Sequence, residues 1–216
     1  MVKINKLITK VNYTPLTNKR NMWIVIHYVG AVSTAKANAL YFEKINRKAS
    51  ASYFVDANSI WQCVEDTNGA WHVGGASKYY NSCRNNNSIG IELCCKKQNG
   101  IWYFEQGTID NAIALTKYLM QKYNIPIERV CRHYDVTHKI CPEPFVKNEV
   151  LWLNFLKEVQ KMDNVETEKE LTIQDKCKVI QEYYGLDENT TLYFQFYRYN
   201  VALIDKLYYK AKNGLK

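Results

Sequence analysis

The sequence predicts an α/β fold, a central mixed β-sheet flanked by helices, followed by a small all-α appendage. Three observations predict it. Apolar, strand-like runs at 22–30, 51–64 and 85–95 alternate with segments of helical period. Residues 108–123 form a clear amphipathic helix. Beyond residue 170 only helical stripes remain.

The run MWIVIHYVG (22–30) ends in glycine and reads as a buried strand. Ser33 or Thr34 can cap the next helix, with Ala35, Ala39, Phe42 and Ile45 facing inward. ASYFVDANSIWQCV (51–64) reads as a hairpin around the turn Asp56-Ala57-Asn58-Ser59. NNNSIGIELCC (85–95) is an asparagine-rich loop entering another buried strand. The helix over 108–123 is followed by Pro126, a short apolar segment around ERVCRH, and a helix from about 146 to 162 striped by Trp152, Phe155, Leu156 and Val159. The acidic stretch DNVETEKE (163–170) is the one plausible linker. It divides a domain at 1–162 from a helical module at 171–216. In that module Ile173, Cys177, Ile180 and Tyr184 make one stripe closed by Gly185. Asn189 or Thr190 can cap a second helix, striped by Leu192, Phe196, Tyr199, Leu203 and Leu207.

At 47% apolar and 13% aromatic, the 216 residues are those of a folded protein. No stretch approaches the roughly 18 apolar residues of a membrane span. The start, MVKINKLITKVNYTPL, lacks the apolar core and cleavage site of a signal peptide, so synthesis in a cytoplasm and release by another route are expected. Seven cysteines without a CxxC pair are expected to be reduced and mostly core residues. The net charge of +8 falls almost wholly on residues 1–162 and suits an anionic partner, a nucleic acid or an acidic wall polymer. No nucleic-acid motif accompanies it, so nucleic-acid binding would rest on charge alone.

The densest chemistry lies in RHYDVTHKICPEP (132–144). A catalytic zinc takes three nitrogen or sulfur ligands from the protein and leaves one position for water. His133 and Cys141 stand eight apart in a loop, and His27 ends the apolar run of the first strand. Spacing alone leaves His138 as an alternative to His133 and His72 as an alternative to His27. Glu92, a carboxylate inside an apolar strand, must be either paired or functional. Lys139 is a solvated loop lysine or an electrostatic aid to catalysis. Asp135 either receives a ligand imidazole's second N–H or caps its turn.

Four pieces in order, IVIHYVG, ASASYFVDANSIWQCVEDTNGAWHVGG, NNNSIGIELC and CRHYDVTHKICPEP, resemble the zinc-dependent N-acetylmuramoyl-L-alanine amidases shared by phage endolysins and peptidoglycan-recognition proteins. The resemblance spans most of residues 22–145. It implies Zn2+ held by His27, His133 and Cys141, with His138 and His72 as decoys. It also implies Glu92 as general acid/base and Lys139 as stabiliser of the oxyanion. Tyr53, Trp71, His72 and Gly74 are expected to line the substrate groove, core packing being the alternative for Trp71. Where many relatives carry histidine this chain has Ser52, which cannot be assumed to fill that role. The implied substrate is peptidoglycan, cut between N-acetylmuramic acid and L-alanine. A non-catalytic peptidoglycan-binding module and a bacterial autolysin or wall-recycling enzyme are the alternatives to a phage endolysin. Nine of the last 46 residues are Tyr or Phe, interleaved with basic residues. That suits binding to anionic cell-wall polymers, or docking and formation of a homodimer.

Overall fold

In the computed structural model the described residues are 2–161, 173–187, 190, 200–212 and 214. They fall into two compact units, Met1–Lys161 and Met162–Lys216. The expected linker at 163–170 and the stripe residues Leu192, Phe196 and Tyr199 lie outside the described residues.

The first unit is built on a seven-stranded mixed sheet. Its strands are β1 (Asn5–Lys6), β2 (Trp23–Val32), β3 (Tyr53–Val55), β4 (Ile60–Gln62), β5 (Ser88–Gln98), β6 (Ile101–Tyr103) and β7 (Val130–Arg132). The order is β1-β4-β3-β5-β2-β7, with β6 paired to the far end of β5. The central strands β3, β5, β2 and β7 are parallel, and β3–β4 is the antiparallel hairpin expected from the sequence. Its turn is held by Asp56, whose Oδ1 accepts from the amides of Asn58 and Ser59. The β5–β6 hairpin turns at Asn99-Gly100, both at positive φ, which suits this pair of residues.

Alternation along the strands sorts residues onto the two faces. Ile24, Ile26, Tyr53, Val55, Ile89, Ile91 and Leu93 point one way. They pack against α2 (Gln106–Tyr123) through Leu115 and Leu119, and against α5 (Glu149–Gln160) through Trp152, Phe155 and Val159. On the opposite face Phe54 and Cys94 meet Ala35 and Ala39 of α1 (Ala35–Glu43), capped by Thr34 Oγ1 on the Ala37 amide. Val25 and Cys131 pack with Val136 of α3 (His133–Thr137).

Two local expectations are corrected. Ile45 lies beyond the end of α1 and is exposed, because the backbone there turns to give its carbonyl, with that of Phe42, to Asn12 Nδ2. The helix expected from about 146 is two helices, α4 (Glu143–Lys147) and α5, separated by Asn148 in an extended conformation.

The second unit contains α6 (Ile173–Tyr184) and α7 (Asn200–Lys212), joined by a core of Cys177, Ile180 and Ile204 with Tyr184, Leu207 and Tyr208 against it. Gly185 has φ +64, as its place after α6 requires. Among the described side chains of α7, Ile204 is buried and the predicted Leu203, one residue before it, is only half-buried. Among the described residues no helix is long and apolar enough to cross a membrane.

Candidate functional site

The site begins as one row across the sheet. Parallel register places Phe54 beside Glu92 and Glu92 beside His27, all on the face opposite the α2/α5 core. Next to His27, β7 ends at Arg132 and α3 begins with His133, whose ring centroid is 4.7 Å from that of His27. The chain returns eight residues later. The Tyr134 amide donates to the Cys141 carbonyl at 2.8 Å, closing the loop so that the thiol faces the two imidazoles.

One ligand atom each from His27, His133 and Cys141 lies within 4.8 Å of the others, and all three residues are buried. Cys141 Sγ is 3.7 Å from His27 Nδ1. Zinc–nitrogen and zinc–sulfur bonds of roughly 2.0 and 2.3 Å at a tetrahedral angle put N and S about 3.5 Å apart. The donor set therefore fits zinc. His133 Nδ1 and Glu92 Oε2 are buried without a hydrogen-bond partner, and a cation with its water would satisfy such atoms.

Burial sets the charge state of these donors. It lowers the His27 imidazole well below its ordinary value, with His72, His133 and Lys139 acting in the same direction. Burial and the Lys139 charge bring His133 down to about 4. Both rings are thus neutral near pH 7, the state in which an imidazole can bind a metal. Burial and the neighbouring Glu92 push the Cys141 thiol up to about 12, so a cation has to displace its proton on binding. Glu92 Oε1 stands 4.0 Å from His27 Nδ1, and burial pushes its carboxyl up to about 8, partly offset by Lys139. A buried carboxyl held this far above its ordinary range can both take and return a proton.

A groove of about 640 Å³ opens over this row, with Tyr41, Phe54, Trp71, Glu92, Lys139 and Cys141 in its walls. A second cavity of about 670 Å³ shares Trp71, His133 and Lys139 with it and extends past Gly74. Lys139 is exposed and stands over both.

The remaining sequence expectations divide. Trp71 lines the groove, with its indole N–H on Thr14 Oγ1 at 2.7 Å. Gly74 lines the second cavity, where a Cβ would stand 3.0 Å from Asn85 Nδ2. Tyr53 does not line the groove. It points into the α2/α5 core, and its hydroxyl donates to Asp66 Oδ1 at 2.7 Å; Phe54, the next residue, takes the groove position. His72 edges the groove, yet both ring nitrogens are committed to the protein, Nδ1 to His27 Nε2 and Nε2 to Ser88 Oγ, each at 3.0 Å. No ring nitrogen is left for a substrate. His138 takes a left-handed cap after α3 and stacks on Tyr80, outside the metal-binding group. Ser52 is buried in the sheet, its hydroxyl accepting from the Gly90 amide. Asp135 receives no imidazole; it holds Arg132, which reaches on to the Phe145 carbonyl and Glu149 and so braces the loop carrying His133 and Cys141.

Known proteins share sequence and fold with this chain. CwlL, an N-acetylmuramoyl-L-alanine amidase of Bacillus licheniformis, is 34% identical over 175 residues, covering 75% of this chain and 48% of the relative. The solution structure of the PlyG catalytic domain superposes with a TM-score of 0.64 at 26% identity, over 76% of this chain and 98% of that one. A mutant endolysin from Bacillus subtilis gives a TM-score of 0.60 at 26% identity, over 74% and 99% of the two chains. The chain spans about half the length of the curated relatives it matches. Residues 17–144, more than half of the sequence and every site residue named above except Thr14 and Phe145 and Glu149 beyond it, match the Amidase_2 family, N-acetylmuramoyl-L-alanine amidase, and the chain belongs to that family.

Proposed function

We propose that this chain hydrolyses the amide bond between N-acetylmuramic acid and L-alanine in peptidoglycan, with zinc held by His27, His133 and Cys141. The observation that carries the reading is the convergence of those three donors, beside Glu92, on the floor of an open groove. Bound there, zinc supplies Lewis acidity, polarising the scissile carbonyl and making water a better nucleophile near neutral pH.

The protein's own groups carry the protons. Glu92 takes a proton from the attacking water as its oxygen joins the carbonyl carbon. It then gives the proton to the alanine nitrogen as the C–N bond breaks, leaving a lactyl carboxylic acid and a free amine, which become carboxylate and ammonium as the acid's proton passes to the amine. Lys139, standing over the groove, faces the negative charge that gathers on the carbonyl oxygen. Trp71 and Phe54 give the groove flat apolar walls against which a sugar face and a short peptide can lie. The basic first unit suits an anionic wall. An endolysin role is favoured by the likeness to a Bacillus subtilis endolysin. In the C-terminal unit, exposed Tyr183 and Tyr209 suit contact with wall polymers.

The test is the chemistry of the cut. Purified peptidoglycan from several wall types is digested, and new amino groups and new reducing ends are measured separately, with a chelator-treated control. New N-terminal alanine without reducing ends, lost on chelation and restored by zinc, is expected. Sedimentation with the wall and no release from any of them would leave only a binding module. His133→Ala is expected to lose activity and bound metal together, and full metal occupancy in that variant would remove His133 from the ligand set.

A further inference from the structure

The structure contains a buried hydrogen-bond chain behind the metal centre that the reaction described above does not use. Arg84 contributes a backbone carbonyl, which can only accept. Ser88 Oγ lies 2.6 Å from it and so must donate to it. The other side of the Ser88 hydroxyl faces His72 Nε2 at 3.0 Å, so that nitrogen carries a proton. A neutral imidazole has one N–H, and His72 Nδ1 is therefore an acceptor. It faces His27 Nε2 at 3.0 Å, so the His27 proton sits on Nε2. His27 Nδ1 is left with a lone pair, and it is the atom facing Cys141 Sγ and Glu92. Every donor in the chain points one way because its end is a carbonyl.

We propose that His72 is a positioning residue for the metal, holding His27 in the tautomer whose Nδ1 is open to the cation. The proposal rests on the zinc reading of the His27, His133 and Cys141 cluster. Reversing the chain would strip the Arg84 carbonyl of its hydroxyl and put a proton on His27 Nδ1, where the cation must sit. The 3.0 Å gap between the two rings holds one proton, so a His27 that keeps Nδ1 open carries its N–H on Nε2 and finds a bare Nδ1 on His72.

Two further features exist to seat this ring. A Cβ at Gly90 would stand 2.6 Å from His72 Cγ and 2.7 Å from Nδ1, so the imidazole lies on bare β5 backbone that only glycine provides. Asn85 Oδ1 accepts from the amides of both His72 and Val73, fixing the backbone that carries the ring. His72, Ser88, Gly90 and Asn85 thus form one support behind His27, and none of them need touch the substrate. Hydrogen bonds of this kind to a ligand imidazole typically change metal affinity by about 10- to 100-fold.

The first test needs no variant. Long-range nitrogen–proton NMR on the chelated full-length chain reads the tautomers directly, and Nε2–H is expected for both His27 and His72. Nδ1–H on either ring overturns the proposal. The second test is zinc affinity by chelator competition on full-length variants. His72→Leu and Gly90→Ala are expected to weaken zinc by about 10- to 100-fold. His72→Asn, whose amide oxygen stands where Nδ1 was, should stay within about threefold of the parent. Equal affinity for His72→Leu and the parent, or equal losses for Leu and Asn, refutes the chain. If His72→Leu does not fold by circular dichroism, Gly90→Ala and Ser88→Ala decide: loss in both supports the chain and parent-like affinity in both refutes it. Failure of the parent to take up zinc is a different result, because it removes the metal centre itself.

Discussion

Replacing Tyr53 with phenylalanine separates a groove residue from a core residue. Tyr53 is 1% exposed, and its hydroxyl donates to Asp66 Oδ1 at 2.7 Å. Asp66 also receives Gln62 Nε2 at 3.2 Å, Lys122 Nζ at 3.0 Å and the Tyr123 hydroxyl at 2.6 Å. The carboxylate keeps three donors in the variant, so no charge is orphaned. A hydrogen bond to a charged group contributes about 1.5–3 kcal/mol, and the lower end, about 1.5 kcal/mol, applies here. For a unit of this size, with an unfolding entropy of about 2.1 cal/mol/K per residue, that is a fall in Tm of about 4 °C. Urea unfolding at pH 7 and release of amino groups from peptidoglycan are the paired assays. The expected result is the stability loss with kcat/KM unchanged within about twofold, since no part of Tyr53 reaches the groove. A tenfold loss of turnover with an unchanged unfolding midpoint would refute the placement of Tyr53 and return it to the substrate.

Other perturbations probe the site and its surroundings. Glu92→Gln keeps a side chain of the same size but cannot carry the proton, so zinc content should be unchanged and turnover should fall about 10²- to 10⁴-fold; undiminished turnover would remove Glu92 from the chemistry. Lys139→Met should lower kcat by about 10²-fold with little change in KM, as loss of charge stabilisation in the transition state predicts, and an effect confined to KM would mean that Lys139 only binds substrate. Lys19 gives a pH signature. Its ammonium donates to the Asn68 and Ser88 carbonyls, and burial lowers its pKa from 10.5 to about 8. Between pH 8 and 10.5 the unfolded chain then holds more protons than the folded one, so this group's contribution to stability rises with pH across that window. The rise is on the order of 2–3 kcal/mol, and Lys19→Met should abolish it in pH-dependent urea unfolding; parallel curves for parent and variant would contradict the burial of this lysine.

The strands were legible because each carries a local signal, and so were the candidate donors, although spacing left His138 and His72 open and only the family resemblance selected among them. His27 ends an apolar run, Glu92 interrupts one, and His133 and Cys141 fall in a stretch whose sequence is too polar for core, although both are buried. The groove contacts were harder to read, and the reason is register. In SYFVD every central residue is apolar and buried, so period-two alternation does not say which face is which. Only the pairing of Phe54 with Glu92 shows that Phe54, not Tyr53, shares the site's face. His72 was legible as a groove residue and invisible as a support for His27, because their contact spans 45 residues and depends on the space left by Gly90. Ile45 was misplaced for a similar reason: its helical spacing continued the stripe of α1, but Asn12, far away in sequence, claims the backbone there.

The same alternation explains why the sheet can carry a polar centre at all. Ile24, Ile26, Ile89, Ile91 and Leu93 give one face to the α2/α5 core, and burial of such side chains contributes about 1.5–3 kcal/mol each. Val25, His27, Gly90 and Glu92 fall between them on the other face. The favourable burial on the first face offsets the cost of holding a partnerless carboxylate oxygen and two neutral histidines on the second. Two of the three candidate donors are set by rigid elements, His27 by a central strand and His133 by the start of α3 directly after β7. Only Cys141 comes from a loop, and that loop is closed by Tyr134 and braced by Arg132. The geometry of the three donors is thus a property of the fold, and the hydrogen-bond chain proposed through His72 extends that control from the positions of atoms to the position of a proton.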